Sequence, residues 1–310
     1  MATISAKDVM ELRKQTDCGM MECKKALTDA EGDFAKAVEL LREKGLATAS
    51  KKAGRVAAEG MVYATACSEC KVGVALEVNA ETDFVAKNDK FVDFVKKVAD
   101  VIIKENPADV EALMACKMGE GTVDDALKNL ILVIKENIKV RRFTRYEGVC
   151  AAYIHAGGTH AVLVNFDTTD EVAAKPEFAV YGKDIAMQIA AANPTYVCRE
   201  EVPADVLDKE KEILLAQMAN DPKMANKPDA VKEKIAAGKL NKFYSENCLL
   251  QQEFVRGDVF TGSVEQYIAD AAKKLGGKIT FVDAIRFEKG EGIEKKQENF
   301  AEEIAKMVKG

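Results

Sequence analysis

Whatever covalent or metal chemistry this chain could do rests on eight cysteines and two histidines. Cys67 and Cys70 form a C-x-x-C pair around Ser68-Glu69, at a predicted hairpin turn. That spacing suits zinc or thiol exchange, but a tetrahedral zinc needs two further ligands. Neither Cys18/Cys23 nor His155/His160 offers an obvious match, so the pair reads first as incidental thiols, with metal or redox chemistry as the open alternative. His155 and His160 bracket a second predicted turn, where an unaccompanied imidazole is by default a surface or structural group. No Gly-x-x-x-x-Gly-Lys-[Ser/Thr] loop is present to cradle a nucleotide phosphate. No metal and no cofactor is implied.

The more informative stretch is Glu81-Thr82-Asp83-Phe84-Val85-Ala86-Lys87-Asn88. It follows the alternating run Val74, Leu76, Val78, which predicts a half-buried strand. It precedes Phe91, Phe94, Val95, Val98, Val101 and Ile102, a helical stripe. Thr82 and Asp83 therefore fall where a helix should start, and both residue types can cap its first N–H groups. Phe84 has two readings. It is a first-turn core residue, or an aromatic wedge beside a carboxylate, presented to a partner on a strand-to-helix corner. Met20 and Met21 divide in the same way, between core and adaptable contact surface.

A chain of 310 residues suits two or three domains. Charge is abundant but balanced, 45 basic against 51 acidic residues. That leaves no concentrated basic footprint for nucleic acid. The start, Met-Ala-Thr-Ile-Ser-Ala-Lys-Asp, lacks a basic and then apolar leader, and no apolar run approaches a membrane span. Cysteines scattered among ordinary elements resemble the free thiols of a reducing compartment. The expectation is a cytoplasmic protein without a nucleic-acid or membrane partner.

Residues 5–45 predict three short helices. Ser5 and Asp8 look like a capping box, a turn at Thr16–Gly19 follows, and Asp33 caps a helix carrying Phe34, Val38 and Leu41 that Gly45 should stop. About forty residues is small for an independent core, so leftover helix faces could dock a partner. Residues 46–58 read as a polar helical tether. Strands are expected at about 60–66 and 72–79, and a helix from Asp83. Another helix is expected over 123–140, after a turn at Met118–Gly121, and a second hairpin at 148–155 and 160–166. Val206, Leu207, Ile213, Leu214 and Met218, then Val231, Ile235, Leu240 and Phe243, predict two antiparallel helices broken at Asn220-Asp221-Pro222. Strands at 252–255 and 279–282 flank a helix opened by Ser263. Asn299 caps a final helix bearing Phe300, Ile304 and Met307.

The second hairpin repeats the first. Glu59-Gly60 recurs as Glu147-Gly148, Thr82-Asp83-Phe84-Val85-Ala86 as Thr169-Asp170-Glu171-Val172-Ala173, and Phe91 as Phe178. Two related lobes follow. A scaffold that needed a buried aromatic at Phe84 would not readily hold Glu171 at the matching place, which favours a solvent-facing position.

The run ELRKQTDCGMMECKKALTDAEGDFAKAVELLREKG resembles the N-terminal ubiquitin-associated-like domain of elongation factor Ts, the exchange factor of elongation factor Tu. EVNAETDFVAKN and FEKGEGIEKKQENFAEEIA extend the resemblance to essentially the whole chain. Thr16-Asp17-Cys18-Gly19 departs from the family's usual Thr-Gly-Ala-Gly, Ala80-Glu81 from its frequent Cys-Gln, and Glu253 from a frequent proline. The implied class is α+β: a three-helix unit (1–55), core lobe 1 (56–146), core lobe 2 (147–199 with 250–287), an inserted helical-hairpin or coiled-coil arm (200–249) and a C-terminal helical module (288–310).

The resemblance implies a non-covalent exchange factor rather than an enzyme. It would bind elongation factor Tu in its GDP-bound and nucleotide-free states. Thr82, Asp83, Phe84 and Val85 would disturb Mg²⁺ and phosphate binding in that partner. Met20, Met21 and His155 would make secondary contacts, and the helical hairpin is a candidate for self-association. The alternatives are a ubiquitin-associated-like adaptor or chaperone built on residues 5–45, and a thiol or zinc enzyme using Cys67 and Cys70.

Overall fold

The computed structural model describes residues 4–16, 18–221 and 227–294. Its class is α+β, helices packed on antiparallel sheets. The chain opens with α1 (Ala6–Thr16), α2 (Met20–Asp29) and α3 (Phe34–Lys52). The Ser5 N–H donates to Asp8 Oδ2 at 2.9 Å, and the Asp8 N–H donates to Ser5 Oγ at 3.2 Å, completing the expected box. Asp33 caps α3 by accepting the Lys36 N–H. Val9, Leu12, Cys23, Leu27 and Leu41 form a small core that also takes in Leu132 from a later helix. Gly45 does not stop α3, which runs on through the expected tether to Lys52. A Cβ there would lie 3.4 Å from the Lys128 carbonyl oxygen, so the glycine permits close helix packing instead of termination.

Next come β1 (Glu59–Cys67), β2 (Val72–Ala80), α4 (Asp89–Glu105), α5 (Val110–Ala115), β3 (Lys117–Met118), β4 (Gly121–Thr122), α6 (Val123–Ile134) and β5 (Lys139–Glu147). The helix expected over 123–140 ends early, at Lys135 in a left-handed conformation (φ 66°). Ile131, Ile134 and Ile138 keep helical spacing past that point, which conceals the start of β5. Asn88, not Thr82 or Asp83, caps the long helix: its Oδ1 accepts the Lys90 N–H and α4 begins at Asp89.

The second half contains β6 (Val149–His155), β7 (His160–Thr168), α7 (Asp170–Ala173), α8 (Pro176–Ala192), α9 (Ala204–Asn220), α10 (Asp229–Asn247), α11 (Val264–Leu275) and β8 (Ile279–Glu288). No strand forms at 252–255. Buried Gln188 donates to the Glu253 carbonyl and accepts the Val255 N–H, so a side chain satisfies that backbone instead of a ladder. A single bridge pairs Glu253 with Ser263. Helices α9 and α10 pack through Leu214, Met218 and Ala236. The expected cap Asn299 and its helix lie outside the described residues.

Both three-stranded sheets are antiparallel, ordered β1-β2-β5 and β6-β7-β8. In each, the second strand of a hairpin is central and a later strand completes the edge. The duplication reaches single residues. Gly60 and Gly148 both have positive φ, at 100° and 122°. The Asn79 and Asn165 amides each donate to the carbonyl of the preceding glutamate, Glu59 or Glu147, at 3.2 Å. Buried Phe91 and Phe178 open α4 and α8, and left-handed Asn106 and Asn193 close them.

One sheet packs its outer face on α4 and α6 through Leu76, Val78, Phe91, Val98 and Ile131. The other packs on α8 and α11 through Val164, Phe166, Ile185 and Tyr267. Their inner faces meet through Val62, Ala64, Ala75, Ala161, Leu163 and Phe287, so β2 is buried along its whole length. No helix among the described residues is long and apolar enough to cross a membrane.

Candidate functional site

The corner between β2 and α4 is held from below and open above. Glu81 leaves the strand and accepts the Asn137 N–H at 2.6 Å, with Arg55 at 3.3 Å from the same carboxylate. Thr82 donates its N–H to Glu136 Oε2 at 2.9 Å and its hydroxyl to Oε1 at 2.7 Å. The expected capping role for Thr82 is thereby replaced: its side chain faces the segment after α6, not a helix terminus. Val85 is buried in the first lobe's core. The N–H groups of Lys87 and Asn88 donate to the Phe84 and Val85 carbonyls, closing a tight turn.

Phe84 crowns this turn with 80% of its surface exposed. The packing reading of the ring is excluded, and the inference from Glu171 holds, since that residue is exposed as well. Asp83 is exposed beside it, and its carboxylate meets no donor among the described residues. An aromatic ring and a free acid thus project from backbone fixed by two glutamates and a buried valine. The arrangement presents an apolar ring and a carboxylate side by side on a fixed backbone.

Of the secondary candidates, Met20 and Met21 open α2 and are both exposed. His155 is exposed at the β6–β7 turn, its Nδ1 3.0 Å from the Tyr153 hydroxyl. Its ring lies 6.1 Å from that of His160, which faces Glu288 at 3.4 Å. Among the described residues no group of three or more His, Cys, Asp or Glu gathers as a metal would need. Cys67 and Cys70 are not free thiols: they are joined by a disulfide across the β1–β2 turn. None of the other six cysteines is in a disulfide.

Sequence reasoning missed the supports of the corner. Glu136 and Asn137 lie in the stretch read as helix, so no pattern pointed to them. It also missed Glu77, fully buried on β2. That carboxylate accepts from Asn79 (3.0 Å), Arg141 (3.1 Å), Arg142 (2.6 Å) and the Gly290 N–H (2.8 Å). Burial pushes its pKa up, but the Asn79 amide, the Gly290 N–H and Arg142 together hold it below the ordinary value. The network ties β2 and β5 to the segment after β8, and so braces the strand that delivers the corner.

Residues 81–291 match the family described as Elongation factor TS. Elongation factor Ts of Trichlorobacter lovleyi is 49% identical over 310 residues, covering 97% of each chain. That of Symbiobacterium thermophilum is 48% identical over 313 residues, covering 99% of each. That of Clostridioides difficile is 47% identical over 312 residues, covering 100% of each.

Proposed function

This chain belongs to the elongation factor Ts family, the guanine-nucleotide exchange factors of translation elongation, and we propose that its working part is the Thr82–Val85 corner. The partner is elongation factor Tu, bound first with GDP and then nucleotide-free. A GTPase holds GDP through backbone amides and a Mg²⁺ bridging the phosphates. A factor that prefers the nucleotide-free conformation must, by reciprocity, weaken GDP by the factor with which GDP weakens it. Phe84 wedges between helices of the partner, Asp83 hydrogen-bonds alongside, and the groups holding Mg²⁺ and phosphate shift. No covalent bond is made or broken.

The observation that carries this reading is an exposed phenylalanine on a corner pinned at Thr82 and Val85. A rigid wedge loses little conformational freedom on insertion, so more of its contact energy goes into displacing the partner's groups. The three-helix unit (1–55) is read as ubiquitin-associated-like and grips the GTPase domain, with Met20 and Met21 on its open surface. Lobe 2 (147–199 with 250–287), including His155, holds another domain of the same partner. The hairpin of α9 and α10 (200–249) is read as a coiled-coil arm and the candidate surface for self-association. The protein acts in the cytoplasm.

The deciding experiment is release of a fluorescent GDP from elongation factor Tu, with and without the protein, comparing the parent with Phe84→Ala. Parent-like release by the variant, at equal binding, would remove the wedge. Binding without any acceleration by the parent would favour an adaptor.

A further inference from the structure

We propose that Cys67 and Cys70 form a reversible dithiol–disulfide pair that exchanges with a vicinal dithiol, and that its state sets how firmly the β1–β2 turn is clasped to the second lobe. The two residues are bonded in the structure, with Cα atoms 5.3 Å apart, while none of the six remaining cysteines is in a disulfide. In a compartment that keeps thiols reduced, such a selective bond is transient or redox-sensing rather than structural.

The local geometry assigns the two sulfurs different parts. Cys70 is exposed at the end of the turn and Cys67 is half-buried at the end of β1, so an incoming thiolate reaches Cys70. The Cys70 backbone N–H donates to Cys67 Sγ at 3.1 Å. When a thiolate of the dithiol attacks Cys70 Sγ, the Cys67–Cys70 bond breaks and its electron pair passes to Cys67 Sγ, where that N–H stabilises the leaving thiolate. The second thiol of the reductant then attacks the mixed disulfide and releases Cys70. The protein gains two electrons and two protons, and the vicinal dithiol becomes its cyclic disulfide.

The residue after Cys70 is the clasp. Lys71 is held left-handed (φ 51°), an unfavourable conformation for a residue with a Cβ. Its carbonyl accepts the Gly148 N–H at 2.8 Å, and its ammonium reaches both Asp170 oxygens at 2.6 and 2.8 Å. Both contacts cross from the first hairpin to the second lobe. Beneath them lies a cavity of about 670 Å³ whose walls include Thr65, Ser68, Lys71, Cys150, Asp170 and Lys183. Opening the disulfide frees the turn to leave the left-handed conformation, loosens the clasp and widens the mouth of that cavity. The pair lies at the far end of β2 from the Phe84 corner, about 27 Å along an eight-residue rise, so basal nucleotide exchange does not depend on it.

The test uses the full chain in buffers of reduced and oxidised dithiothreitol at varied ratio, quenched in acid and alkylated for peptide mass spectrometry. Amide hydrogen exchange at Gly148 is followed in parallel. The expected result is that Cys67 and Cys70 gain and lose their labels together and reversibly. Reduction should also speed Gly148 exchange by roughly tenfold, the scale of one hydrogen bond's net worth. The Cys67→Ser/Cys70→Ser double variant should exchange fast at Gly148 in every buffer. Labels that do not move together, a pair that oxidised dithiothreitol cannot close, or Gly148 exchange indifferent to reduction overturns the proposal. So does one zinc ion per chain retained by the reduced protein. None of these readouts involves elongation factor Tu, so failure here leaves the exchange reading standing, and the converse.

Discussion

Phe84 and its neighbours divide cleanly into residues that project and residues that hold. With the ring 80% exposed, Phe84→Ala removes almost no buried surface. Its stability cost should stay within about 0.5 kcal/mol, against about 3–5 kcal/mol for a buried phenylalanine. GDP release should nevertheless slow substantially. Asp83→Ala should also slow release while leaving the melting temperature unmoved, because the carboxylate caps nothing in the free protein. Asn88→Ala is the informative contrast: it deletes the cap of α4 and should cost about 1 kcal/mol. Glu171→Ala, at the matching corner of the second lobe, should affect release much less than Phe84→Ala. Thermal melts beside stopped-flow release for these four variants check the division. A Phe84→Ala protein that melts like a core mutant would return the ring to a packing role.

At the scale of elements, the corner depends on what supports β2. Glu77 has a folded-state pKa below the ordinary value. Its stabilisation is therefore fully present above the unfolded carboxylate value, about 4.3, and is lost as pH falls through the lower folded value. Acid melts of Glu77→Gln should show a weaker loss of stability on acidification in that window than the parent does. Equal slopes would show that other carboxylates carry the acid sensitivity. Hairpins, caps and the repeat were legible in the sequence because they rest on short-range chemistry: alternation for β2, a side-chain cap for Asp33, glutamate–glycine where each hairpin opens. The overrun of α6 came from a local pattern, isoleucines that keep helical spacing past its end, but the other errors share one physical cause, long-range partners without local trace. Gly45 looked like a stop because its use is contact with α6, some eighty places away in no pattern, and 252–255 looked like a strand because Gln188 supplies its hydrogen bonds. The site divided in the same way, with Phe84 readable through Glu171 and its anchor Glu136 invisible.

For the whole molecule, the three N-terminal helices are less separate than their sequence suggests. Their core includes Leu132 of α6, which is only 2% exposed, and Gly45 brings α3 against the Lys128 carbonyl. Lys52 also donates to the carbonyl of Lys135, next to the Glu136 that anchors Thr82. Removing residues 1–55 therefore uncovers one face of α6 and relaxes the segment behind the corner, while the two sheets and the helices on their outer faces keep their own cores. The shortened chain should fold with its strand content intact but melt several degrees lower, since a loss on the order of 1 kcal/mol moves a domain of this size by about 2–4 °C. Uncovering a large apolar residue such as Leu132 costs at least that much, about 1.5–3 kcal/mol. Binding to elongation factor Tu, measured by calorimetry, should weaken, and release of GDP at saturating factor should slow as well, because the corner has lost part of its backing. If affinity falls but saturated release is unchanged, the N-terminal unit only docks and the wedge is braced by β2 alone. If neither changes, the unit has no part in the complex and the grip assigned to it is wrong.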